Sequence, residues 1–139
     1  MKLSLETHSA NIIHSYEPGA IKIRPRIEAH EDSIEGNSAQ RQLQLLTGSL
    51  IVTPELLIEN WLESAPQLHP NDIDRIMETH PEVILLGTGE TMKFPDSKLL
   101  QSCYQANVGI EVMNTAAACR TYNVLASEGR KVAAALMII

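Results

Sequence analysis

Chemistry at neutral pH needs a nucleophile, a pair of titratable groups or a set of metal ligands, and this chain offers few candidates. Cys103 and Cys119 are its only cysteines, sixteen positions apart and without a C-x-x-C pair, so they read as two free thiols. Cys119 falls in the second turn of an expected helix beside Arg120, where the dipole and the cation would favour a thiolate. The same position lies on an apolar stripe, where a cysteine packs as a small hydrophobe. The five histidines (His8, His14, His30, His69 and His80) form no i, i+4 pair and have no cysteine nearby. His30-Glu31 is followed by Ile34 where a zinc protease needs a second histidine, and G-x-S-x-G is absent. No metal and no cofactor is expected.

Gly87-Thr88-Gly89 follows an apolar run, so a phosphate cradle has to be considered. A dinucleotide fingerprint would place a third glycine at position 92, which is Met, and would open a helix at once. Phe94-Pro95 delays the helix instead, and a tight strand-exit turn is the simpler reading. Asn114-Thr115 stands at the start of the next helix. In a parallel sheet it would share the carboxyl edge of the strands with Gly87–Glu90, where free N–H groups attract anions. Helix capping by Asn114 or Thr115 is the competing reading, and Glu90 would repel an anion.

The elements that must position these residues follow from pattern. Asn11–Tyr16 is a strand candidate, Glu17-Pro18-Gly19-Ala20 a turn, and Ala20–Ile27 alternates. Ile21, Ile23 and Ile27 point one way and Lys22, Arg24 and Arg26 the other. That cationic row either guards an edge strand against sheet aggregation or docks an acidic partner. Residues 29–40 read as a loop, with strands around Leu43–Leu46 and Leu50–Val52. Thr53-Pro54-Glu55 resembles a helix start, but Leu56–Trp61 is short enough to be a strand. A connector is expected over Glu63–Pro70. Asn71–His80 is then a helix capped by Asn71 or Asp72, with Ile73, Ile76, Met77 and His80 as its stripe and Pro81 as its stop.

Beyond it the order is β-α-β-α-β: Glu82–Leu86, a helix over Asp96–Gln105, Val108–Met113, a helix from Thr115 to Glu128 closed by Gly129, and Val132–Ile139. Parallel strands with helical crossovers are the natural assembly. The helix Thr115–Glu128 turns Ala118, Cys119, Tyr122, Leu125 and Ala126 inward, and Arg120, Asn123 and Ser127 outward. The expected organisation is one domain over 1–139, β-rich over 11–52 and βαβαβ over 82–139.

With 139 residues, 44% of them hydrophobic, a packed core needs no disulfide or metal. Seventeen acidic residues against eleven basic give a formal charge of −6, which disfavours nonspecific binding of nucleic acid or anionic membranes. Aromatics at 4% leave few rings for stacking bases. No apolar run approaches the length of a membrane span, so no stable membrane insertion is expected. The first twenty residues fit neither a secretory signal nor an Arg-rich presequence, and the expected location is the cytoplasm.

Leu86-Gly87-Thr88-Gly89, the run from Gly109 through Leu125 and Glu128-Gly129-Arg130 resemble one group of small domains. It is the largely uncharacterised archaeal and bacterial family that also contains mitochondrial NADH:ubiquinone oxidoreductase complex assembly factor 3. Thr-x-x-Ala-Cys-x-Thr-Tyr-Asn, here Thr115 to Asn123, carries the resemblance, which extends more weakly through Trp61 and Gly48-Ser49-Leu50 to about Ile12. It implies a three-layer α/β domain with a mixed central sheet and a role without established catalysis. Mitochondrial members help a respiratory complex assemble by binding other factors. The family offers no agreed catalytic residues to carry over.

The leading expectation is therefore a noncatalytic accessory or assembly-type protein that acts by binding another protein. Its contact surface would comprise Gly87, Thr88, Gly89, Glu90, Asn114 and Thr115, with Arg120 and Asn123 at the side. The alternative is a small-anion-binding protein or enzyme using the helix N-terminus at Asn114–Thr115. A third reading gives the signature residues a folding role only.

Overall fold

The computed structural model describes residues 9–27, 42–62 and 67–139. The loop expected over 29–40 and positions 63–66 of the connector lie outside the described residues. Two sheets form. β1 (Ile12–Glu17), β2 (Ala20–Arg24) and β3 (Gln44–Leu46) make an antiparallel three-stranded sheet in the order β1-β2-β3. Pro18-Gly19 turns the first hairpin, whose register pairs Glu17 with Ala20 and Ile13 with Ile23. β2 is thus the central strand. Lys22 and Arg24 are exposed on it, but no edge exists there to guard, and that reading of the cationic row is withdrawn. Arg26 lies past the strand's end.

The second sheet is mixed and holds five strands in the order β5-β4-β8-β6-β7. They are β4 (Leu50–Val52), β5 (Leu57–Glu59), β6 (Val83–Gly87), β7 (Gly109–Met113) and β8 (Val132–Leu136). β6 runs parallel to both β7 and β8, while β4 runs antiparallel to β5 and β8. The ambiguous stretch after Thr53 is a strand and not a helix. Thr53 Oγ1 accepts the N–H groups of Glu55 and Leu56 at 3.2 and 2.9 Å, and this side-chain turn leads directly into β5.

Among the described residues three helices cover the large sheet. α1 (Pro70–Met77) starts one residue earlier than its pattern suggests, because Pro70 takes the first helical position and His69 the cap. Asp72 is the third residue of α1 and not the cap; its carboxylate accepts the His69 N–H at 2.8 Å and the Arg75 guanidinium at 3.0 Å. α1 ends at Met77, so His80 leaves the stripe and takes a left-handed φ of 57°. The helix expected over Asp96–Gln105 is a 3₁₀ turn (Ser97–Leu100) followed by α2 (Gln101–Gln105). α3 (Thr115–Ser127) is capped by Asn114, whose Oδ1 accepts the Ala117 N–H at 2.8 Å. β8 stops at Leu136, short of the expected Ile139. The Met137 and Ile138 N–H groups then bond to Gly87 O and Ser49 Oγ.

The side chains of β8 and of Met137 just past it divide two cores. Val132, Ala134 and Leu136 face α3 and the three-stranded sheet, with Ile13, Ile21, Ile23 and Tyr122. Ala133, Ala135 and Met137 face α1, the 3₁₀ turn and α2, with Trp61, Ile73, Ile76 and Leu100. Alanine on both faces lets the covering layers approach closely. The architecture is therefore the expected three-layer α/β one around a mixed sheet. No helix among the described residues is long and apolar enough to cross a membrane.

Candidate functional site

The segment that carried the resemblance is spent on holding these layers together. Thr115 is fully buried. Its Oγ1 accepts the Gly89 N–H at 2.8 Å and donates to Met137 O at 2.9 Å, and its own N–H donates to Gly89 O at 2.8 Å. One side chain thus ties the carboxyl ends of β6, β7 and β8. Gly87 must lack a side chain there, since a Cβ would sit 2.9 Å from Thr115 Cα. Gly89 adopts φ 104° with Ile139 packed against it, a conformation that glycine takes without strain.

Tyr122 Oη donates to Asn11 O at 2.7 Å, and Asn123 grips β1 twice, donating to Ile13 O at 2.8 Å and accepting the Ile13 N–H at 3.0 Å. Asn11 extends the clasp by donating to Thr53 O and Leu56 O and accepting the Arg26 N–H. Asn123 therefore does not stand free beside Arg120 as helical periodicity suggests, because the three-stranded sheet packs along that side of α3.

The expected contact residues separate by exposure. Gly87, Thr88, Gly89 and Thr115 are buried, Asn114 and Asn123 half-buried, and Glu90 and Arg120 exposed. At this edge the Gly89, Thr115 and Ala117 N–H groups already have protein acceptors. Among the described residues no group of three His, Cys, Asp or Glu side chains could hold a metal ion.

Cys119 is buried on α3. Burial pushes its thiol up to about 12, against a smaller opposing pull from Arg120, so the thiolate needed for nucleophilic attack is absent at neutral pH. The consequence for stability has a definite sign. The unfolded chain releases this proton near pH 9 and the folded one near 12, so the thiol's contribution is complete below pH 9 and is lost as pH rises toward 12. Burial raises the Tyr122 hydroxyl as well, which adds loss of the same sign at higher pH. Urea titrations across this range should show the decline, and Cys119→Ala should flatten its first part; an unchanged slope would contradict the burial of this thiol.

What remains open at this end of the sheet is a cleft of about 270 Å³ between Phe94, Pro95, Leu99, Leu68, Met137 and Ile139. Phe94 is the only phenylalanine of the chain, and it is 73% exposed. Met92 and Ile139 beside it in sequence and space are also exposed large apolar residues. The loop that presents them is braced by Thr88, whose Oγ1 donates to Thr91 O at 2.8 Å and accepts the Lys93 N–H at 3.0 Å. Sequence reasoning reached the strand exit at Gly87–Glu90 but passed over this neighbouring rim. The available signal was the lone phenylalanine in a proline-containing loop past a parallel strand.

The fold and this surface define a small three-layer α/β module in which Thr115, Tyr122 and Asn123 bond to its own backbone and an apolar rim stands beside a cleft. A family described as protein of unknown function (DUF498/DUF598) matches residues 13–137, and the chain belongs to that family. It is 31% identical over 83 residues to the "13 kDa major membrane protein" of Francisella tularensis subsp. holarctica (strain LVS), covering 60% of this chain and 68% of that one. It is 37% identical over 62 residues to human NADH dehydrogenase [ubiquinone] 1 alpha subcomplex assembly factor 3, covering 45% of this chain. The matched region spans about a third of the human protein, 34% of its length. Among solved structures, a Xanthomonas campestris protein determined by NMR superposes with a TM-score of 0.71 at 36% identity, covering 99% of this chain and 92% of that one.

Proposed function

We propose that the chain is a noncatalytic accessory protein of assembly type, working in the cytoplasm by docking on another protein. The observation that carries this reading is the exposure of Phe94 on a loop held in place by Thr88. With Met92 and Ile139 also exposed, the ring belongs to an apolar patch of the kind that anchors on a partner. Relationship to an assembly factor supports the same kind of work. Of the residues first expected to touch a partner, Glu90 and Arg120 are exposed and Asn114 is half-buried, so their side chains stay within reach of a partner. Docking on a partner that is itself at a membrane would place beside one a chain whose described residues include no spanning helix, in keeping with the name of the Francisella relative.

Phe94→Ser tests the reading. It should weaken capture of the partner that co-purifies with the wild-type chain from its own host by at least about 2 kcal/mol, roughly 30-fold in Kd. The melting temperature should hardly move, because an exposed side chain contributes within about 0.5 kcal/mol to folding. Arg120→Glu should weaken the same complex less, again without unfolding. Equal capture by wild type and Phe94→Ser would sink the proposal.

A further inference from the structure

The five-stranded sheet has two unlike edges. β5 is three residues long and runs into Asn60 at φ 54°, which bends the chain out of strand geometry. Short, kinked edges resist further pairing. β7 has five residues, contains neither Pro nor Lys, and stays in unbroken parallel register with β6 from Val83↔Gly109 to Gly87↔Met113. Among the described residues it pairs with β6 alone.

Two bonds set the phase of that ladder: the Gly109 N–H donates to Glu82 O, and the Thr88 N–H to Met113 O. In a parallel pair alternate residues bond to one neighbour, so Gly109, Glu111 and Met113 turn their backbone groups toward β6. The N–H and C=O of Ile110 and Val112 therefore point off the sheet. At the middle of this edge Glu111 is exposed, while Ile110 and Val112 are half-buried against the α2 side.

We propose that the β7 edge receives an extended segment of a different protein as a sixth strand, antiparallel, with a lysine or arginine opposite Glu111. The charge of Glu111 selects against a second copy of this chain. Two copies that used all four outward groups would pair Ile110 with Val112 of the second copy and Val112 with its Ile110. That register puts Glu111 directly opposite Glu111 of the second copy, at the close non-hydrogen-bonded spacing of about 4.5 Å between Cα atoms. Like charges so placed are destabilising, and opposite charges favourable. This site is distinct from the Phe94 rim and does not depend on it.

The chain itself supplies the basic strand for a test. Sedimentation equilibrium at low salt should find no β7-dependent dimer in wild type or in Glu111→Lys alone. An equimolar mixture should give a heterodimer with an association constant roughly 2- to 30-fold larger. Val112→Pro in both chains should abolish it, since proline there removes an outward N–H and spares the bonds to β6. Hydrogen exchange gives a reading that does not depend on that variant folding. The Ile110 and Val112 amides should be unprotected in each chain alone and protected in the mixture. The proposal is overturned by a mixture that associates no more than its components, by unprotected amides in the mixture, or by a wild-type dimer that Val112→Pro removes.

Discussion

Thr115→Val is expected to lower the stability of the folded chain by about 2–4 kcal/mol, although it preserves shape and opens no cavity. The hydroxyl is completely buried and does two things at once, accepting from the Gly89 backbone and donating to the Met137 carbonyl. Valine would leave a buried donor and a buried acceptor unpaired, each costing about 1–3 kcal/mol. Thr115→Ser keeps both bonds and should recover most of the loss, which separates the hydroxyl from the methyl. Urea unfolding of the three proteins checks this. A near-neutral Thr115→Val would mean that Thr115 is not the clasp of the carboxyl edge and would reopen a ligand-facing role for it.

Trp61→Ala should be at least as damaging, by about 3–5 kcal/mol. Trp61 has no exposed surface. Its Nε1–H donates to Asp72 O at 3.0 Å and its backbone N–H to Ser49 O at 3.0 Å, so it joins the start of α1 to the strand region before β4. Removing the ring empties the floor beneath Ile73 and Ile76 and frees the Asp72 carbonyl. α1 has only eight residues, too few to stand without packing. Far-UV circular dichroism during denaturation is the suitable readout, because the substitution deletes the chain's only tryptophan. A loss below about 1 kcal/mol would show that the α1 core collapses onto the gap, at variance with the packing described. Trp61→Phe should fall between the two.

Local chemistry made the βαβαβ half legible. Asn114 caps α3 as its type suggests, Gly129 closes that helix, Pro81 follows the end of α1, and the apolar run at Val132–Leu136 is the strand covered on both faces. Pro18-Gly19 announced the first hairpin equally well. What stayed hidden depends on residues far apart in the chain. β4 joins β8, pairing Ile51 with Ala135, and no local period encodes that choice. β2 alternates in the same way whether it lies at an edge or at the centre, so the purpose of Lys22 and Arg24 could not be settled from pattern.

The candidate site was legible by position, and what its side chains bond to was not. Periodicity turned Asn123 outward, but a neighbouring sheet meets that face and takes both of its amide atoms. Gly87, Thr88 and Thr115 stand at the expected edge, and the hydroxyls of Thr88 and Thr115 bond to this chain's own backbone. Phe94 was noticed only for delaying a helix, because exposure of an apolar ring depends on what packs over it.

The central claim is that a partner protein lands on the Phe94 rim, and photo-crosslinking from that position in the native host tests it most directly. A photoreactive phenylalanine analogue at position 94 should yield one discrete covalent adduct, competed away by excess unlabelled chain. The same analogue at Tyr104, also exposed but outside the cleft, should yield none. No adduct from position 94, or the same adduct from both positions, would contradict the account.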